Sequence, residues 1–152
     1  MSQRFDITSL SPDLYKAMFG VHLAVNDGGP EATVLELVRM RVSQINGCAF
    51  CIGMHADVAR KLGIGDDRLL LLPAWREASA LFGERERAAL VWAEALTRLA
   101  NGDVPDAAYE AVRAVFSDKE ISALSFAVAE INAWNRLMIA SRTPPQLAAK
   151  AG

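Results

Sequence analysis

Only two of the 152 residues are cysteines and only two are histidines. No dense disulfide framework can be built from that, and a chain of this length buries a core without one. A closed tetrahedral zinc site would need both cysteines and both histidines together. No apolar run approaches the ~18 residues of a membrane helix, so no membrane association is expected. Lys and Arg are not clustered and the net charge is −2, which argues against a nucleic-acid surface. Nothing sustains the period-two alternation of strands, and neither repeats nor low-complexity tracts occur. Met1-Ser2-Gln3-Arg4-Phe5-Asp6 lacks a charged stretch leading into an apolar one, so a cytoplasmic protein without a signal peptide is expected. Apolar residues make up 52%, above the usual ~45–50%. That surplus reads as subunit interface, hence a homo-oligomer.

What is present is a run of helices, and the fold class is all-α. Ser11-Pro12-Asp13 is an N-cap with proline at the first helical position. The helix it opens runs to about Val25, with Leu14, Met18, Val21 and Val25 as its apolar stripe. Gly28-Gly29-Pro30 ends it, and a second helix from Glu31 carries Val34, Leu35, Val38, Val42 and Ile45 on one face. Asn46-Gly47 breaks the pattern. A third helix spans about Cys48 to Leu62 with Gly63 as C-cap. Further helices are expected over Asp66–Leu72, stopped by Pro73, then Glu84–Ala100 and Pro105–Phe116. Ser117-Asp118-Lys119-Glu120 is a capping box opening the longest helix, to about Ser141, which Pro144-Pro145 terminates. The tail beyond is expected to fray. One domain over 1–152, with a core of about 5–142, is the organisation expected.

Both cysteines and one histidine fall within Cys48-Ala49-Phe50-Cys51-Ile52-Gly53-Met54-His55. Spacings of three and four put all three side chains on one helix face. If Gly47 breaks the chain, the thiols sit in the first helical turn, where free N–H groups and the helix dipole favour a thiolate. His55 has an intrinsic pKa suited to moving protons near neutrality. The arrangement points to a redox dithiol that oxidises and resolves as a disulfide. Two alternatives stand beside it. Cys48, Cys51 and His55 offer three zinc ligands, with His22 the only further histidine. The cysteines can also serve as small buried hydrophobes.

Asn46-Gly47 suggests an antiparallel hairpin of helices. Counting eleven residues each way from Gly47 sets Glu36 opposite Val58, within a turn of His55. A carboxylate there would orient the imidazole and support its protonated form; the alternative is a solvated helix residue. Trp75, Trp92 and Trp134 read as core or interface. Asn132 and Asn135 are candidates for lining a pocket or bonding across a contact. Arg39 and Arg41 are expected to form salt bridges at a surface or interface, and His22 to be a hydrogen-bonded structural histidine. Met18, Met40, Met54 and Met138 read as packing residues.

Glu36, Cys48, Cys51 and His55, in that order and spacing, resemble the alkylhydroperoxidase D-like (AhpD-like) families of the carboxymuconolactone decarboxylase superfamily. Val42–Cys48, Ala74–Glu77, Glu84–Leu90 and Ile131–Arg136 are similar to the single-domain members. The resemblance implies an all-α fold assembled into trimers or hexamers, and a thiol peroxidase acting on hydroperoxides. By that resemblance Cys51 attacks the peroxide and becomes a sulfenic acid. Cys48 condenses with it, His55 and Glu36 relay protons, and an external dithiol reduces the bridge. No metal or other cofactor is implied beyond the Cys48–Cys51 dithiol. Some better-known members carry a histidine between the cysteines, where this chain has Ala49 and Phe50. The decarboxylases that share the superfamily name lack the thiol pair. A non-redox enzyme on the same scaffold, and a zinc-binding structural module, are the competing functions.

Overall fold

The computed structural model describes residues 2–145. Its helices are α1 (Ile7–Leu10), α2 (Pro12–Gly28), α3 (Ala32–Asn46), α4 (Ala49–Lys61), α5 (Asp66–Leu71), α6 (Glu84–Arg98), α7 (Asp106–Arg113) and α8 (Asp118–Ser141). Short 3₁₀ turns cover Leu72–Ala74, Ser79–Leu81 and Ala100–Gly102. No strand occurs among the described residues. The expected fraying beyond Pro145 lies outside them.

Helix α3 is the axis of the structure, packed against α4, α6 and α8. Its neighbours cover it on more than one side. Val34, Leu35, Leu37, Val38, Met40 and Val42 are all buried, more than a single amphipathic stripe would place inside. Each large apolar side chain so buried contributes roughly 1.5–3 kcal/mol. The charged residues of the same helix are carried inside with them. Glu36 and Arg39 are 4% and 1% exposed. Arg39 is therefore not the surface residue expected from the sequence.

Gly47 makes the turn into α4. Its φ of +70° is left-handed, a region a side chain enters only at a cost of roughly 1–2 kcal/mol. The N–H of Cys48 then bonds the Ser43 carbonyl at 3.0 Å, closing α3 as a Schellman-type cap. Cys48 becomes the N-cap of α4, and its sulfur accepts the Cys51 N–H. At the far end of the fold, Ser117 and Glu120 form the expected capping box of α8. Arg142, at φ +56°, ends that helix before the prolines are reached.

Helix α2 departs from its expected role. Only Val25 of its stripe is buried, while Leu14 is 70% exposed and Val21 is 40% exposed. The helix lies over α8, but most of its large apolar residues, Leu14, Phe19, Val21 and Leu23 among them, stay exposed among the described residues. Three boundaries also move. Helix α6 stops at Arg98 because Leu99 turns left-handed, and α7 is shorter than Pro105–Phe116. Pro73 sits inside a 3₁₀ turn that continues from α5, since proline is tolerated at the start of a helical turn.

Candidate active site

The helical hairpin α3–α4 brings four residues together. The two thiols meet at the start of α4: the Cys51 N–H reaches the Cys48 sulfur at 3.4 Å. Both are free thiols and both are 1% exposed. One turn along α4, His55 Nδ1 lies 2.7 Å from Glu36 Oε2. A carboxylate only accepts, so Nδ1 carries the proton and Nε2 remains for chemistry. Glu36 Oε1 in turn accepts from Arg39 Nη1 at 2.8 Å. The juxtaposition of Glu36 and His55 expected from the turn count is present.

A cavity of about 280 Å³ opens against these groups, with Cys51, His55, Glu36 and Arg39 on its wall. Most of the remaining wall is apolar or aromatic, including Tyr15, Phe19, Phe50, Met54 and Trp134. Its size is near the lower end for small-molecule sites, about 300–1,000 Å³. Cys48 lies behind Cys51 and does not line it.

The family model for the carboxymuconolactone decarboxylase family matches residues 12–95. A curated relative, the uncharacterised protein YdfG of Bacillus subtilis (strain 168), is 37% identical over 140 residues, covering 92% of this chain and 95% of the relative. The chain belongs to the carboxymuconolactone decarboxylase family. Its fold matches, at TM-score 0.91 and 37% identity, a crystal structure from Agrobacterium tumefaciens of a protein of unknown function assigned provisionally as the antioxidant defence protein AhpD. That match covers 97% of this chain and 100% of the other. The debrominase Bmp8 shares the fold at TM-score 0.79 and 18% identity, over 91% of this chain and 74% of Bmp8, a likeness of fold alone.

Within this AhpD-like member the electrostatics of the thiol pair follow from its burial. The hydrogen bond from the Cys51 thiol holds Cys48 down, against the opposing effect of burial, so that Cys48 titrates at about 7 rather than 9.0. The backbone N–H of Cys51 works in the same direction. Cys51 is pushed up, first by sharing its proton with Cys48 and then by burial. The two titrate as a unit: one proton leaves near neutrality and the second is retained. Burial pushes Glu36 up, but the His55 hydrogen bond and Arg39 outweigh it, and the carboxyl lies below its ordinary range.

Several further residues belong to this site. Glu130, on α8, accepts from Arg39 Nη2 at 2.7 Å and from Arg39 Nε at 3.1 Å. His22 Nδ1 donates to the same Glu130 oxygen at 3.2 Å, the hydrogen-bonded histidine expected. Trp134 lines the cavity and packs edge-on against Tyr15, with centroids 5.2 Å apart. Asn135 is fully buried; it donates to Ser43 Oγ at 3.0 Å and accepts from Asn46 at 2.8 Å. It also favours the ionised form of both sulfurs by hydrogen bonding. Asn135 was among the candidates named from the sequence, but no local motif marks Glu130, because α8 reaches the site across some ninety residues of chain. Its signal was only that it is polar on an otherwise apolar helical face. Trp75 and Trp92 are core residues, bonded to Glu94 and Ser125.

Proposed function

We propose that this protein is a thiol-dependent hydroperoxidase, a peroxiredoxin-type oxidoreductase using the Cys48–Cys51 dithiol. The observation that carries the reading is Cys51 on the wall of an apolar cavity, with Cys48 in hydrogen-bond contact behind it and the Glu36–His55 pair beside it. The thiol pair gives one proton to Nε2 of His55 near neutrality, and the remaining proton shifts from Cys51 to Cys48. The Cys51 thiolate attacks the distal oxygen of the hydroperoxide. The O–O bond breaks, the alkoxide takes a proton from His55, and an alcohol leaves. Cys51 is now a sulfenic acid. Cys48 gives its proton to His55 and attacks the Cys51 sulfur. Hydroxide departs, is protonated by His55 and becomes water, leaving the Cys48–Cys51 disulfide. Two thiols and one hydroperoxide thus give a disulfide, an alcohol and water.

Glu36 holds Nδ1–H of His55 and stabilises the imidazolium at each proton transfer. An external dithiol then reduces the bridge by thiol–disulfide exchange. No resident metal or organic cofactor enters the cycle. A reducing compartment such as the cytoplasm suits it, and no described helix is long and apolar enough to cross a membrane. Assembly into a homo-oligomer is supported by the apolar residues Leu10, Leu14, Leu23 and Phe126, each more than half exposed, and the family resemblance implies a trimer or hexamer.

The deciding experiment titrates free thiols before and after one equivalent of an organic hydroperoxide. Two thiols per chain are expected to disappear and to return with a dithiol reductant. Thiols that remain titratable after prolonged exposure would end the peroxidase reading.

A further inference from the structure

The cavity wall carries polar groups that the peroxidase chemistry does not use, and the buried carboxyl among them is Glu130. Glu130 forms part of its wall and its side chain is 3% exposed. Oε1 takes every donor available to the carboxylate: Arg39 Nε, Arg39 Nη2 and His22 Nδ1. Oε2 is buried and has no hydrogen-bond partner. Three donors converge on Oε1, two of them from a guanidinium that remains charged at all accessible pH, and none reaches Oε2. A polar oxygen left unpaired away from water is costly.

The surrounding charges leave the acceptor uncompensated. Two carboxylates, Glu36 and Glu130, share the single guanidinium of Arg39. His22 brings no uncommitted ring nitrogen: Nδ1 bonds Glu130 Oε1 and Nε2 lies 3.1 Å from Asn26 Nδ2. Tyr15, Phe19 and Trp134 add aromatic surface to the same wall, which favours a ring or a cation nearby. The cavity therefore combines a reactive sulfur, apolar walls and one carboxylate oxygen lacking a donor.

Resting on the peroxidase reading for the reacting group, we propose that Glu130 is a specificity-determining residue that selects hydroperoxides whose apolar skeleton also carries a hydrogen-bond donor, a hydroxyl or an ammonium, placed to reach Oε2. The donor end binds Glu130 and the peroxide end is presented to Cys51.

Binding to the reduced protein tests this without turnover, using three probes of similar shape: 2-phenylethylamine, 2-phenylethanol and propylbenzene. Tryptophan fluorescence reads occupancy, since Trp134 is on the wall. At least one donor-bearing probe is expected to bind about tenfold or more tighter than propylbenzene, the usual effect of a hydrogen bond to a charged group. The tighter of the two identifies the donor as ammonium or hydroxyl. In Glu130→Gln, where an amide N–H replaces the bare acceptor, that advantage is expected to vanish while propylbenzene binding persists. Equal binding of all three probes by the unaltered protein, or binding of none, overturns the proposal; equal binding means that a trapped water satisfies Oε2. This arm needs no variant to fold. Because no probe is a peroxide, a donor preference in a protein whose thiols resist hydroperoxide would sink the peroxidase reading and leave the donor site standing.

Discussion

The two sides of α3 bury carboxylates in the same way and to opposite ends. Arg39 and Arg41 are two residues apart, so they leave the helix roughly 200° from each other. Arg41 meets Glu94 of α6 at 2.7 Å, and Trp75, Arg76 and Arg98 complete that carboxylate. Both oxygens of Glu94 are satisfied. Burial pushes Glu94 up, yet the arginines and Trp75 hold it below the ordinary range. Arg39 faces Glu36 and Glu130, where a histidine, two thiols and a cavity join the network. A buried ion pair by itself therefore marks nothing. What separates the two sides is a thiol pair that ionises at about 7, an imidazole on the same helix and space for a ligand.

That contrast is open to direct attack, beginning with the largest effect. Cys51→Ser is expected to reduce hydroperoxide consumption, measured with excess dithiol, to the uncatalysed rate. His55→Ala should slow thiol oxidation, measured per folded molecule, by about 10²–10⁴-fold, the usual worth of a proton-transfer group. The same rate measured per folded molecule in Glu94→Ala should match the unaltered protein; a comparable loss there would erase the distinction between the two sides.

Stability should show the reverse order. Glu94→Ala leaves Arg41 charged in the interior, and breaking a buried pair costs about 3–5 kcal/mol, readable as a lower urea midpoint. Glu36 and Glu94 both lie below their ordinary range. Each thus contributes stability above the unfolded-state carboxyl pKa, and loses it as pH falls through the lowered folded value. Acid alone will not tell the two sides apart, but the oxidation rate will. It should rise as the thiol pair ionises at about 7, falling roughly tenfold per unit below that. Asn135→Ala should move the rise to higher pH, because a donor favouring the thiolate is lost. A stopped-flow pH profile that is flat from 5 to 9 would contradict the thiolate assignment. The smallest effect belongs to Arg98→Ala. Arg98 is about half exposed and Glu94 keeps its other partners, so a change under ~1 kcal/mol is expected.

How far each feature could be read from the chain depended on its range. Gly47, the Ser117–Glu120 box and the Cys48–Cys51–His55 spacing are local, set within a few residues by backbone sterics and helical pitch. The reach of Glu36 to His55 was also legible, because one tight turn relates the two helices and the offset can be counted. Arg39 was half legible for the opposite reason: the salt bridges expected of it form, but inside the chain, because its partner Glu130 is 91 residues away. The stripe on α2 was real as a pattern, but periodicity says only that a face is apolar, not which molecule covers it.

The sequence by itself determined the helices, the break at Asn46-Gly47 and the placing of two thiols and an imidazole on one face, since these follow from propensity, capping and 3.6-residue spacing. Only the tertiary structure decided that α8 delivers Glu130, Trp134 and Asn135 to the same place, that Arg39 lies inside, and that a cavity opens beside Cys51. Those outcomes depend on how helices far apart in the chain pack around α3, and no local spacing records that.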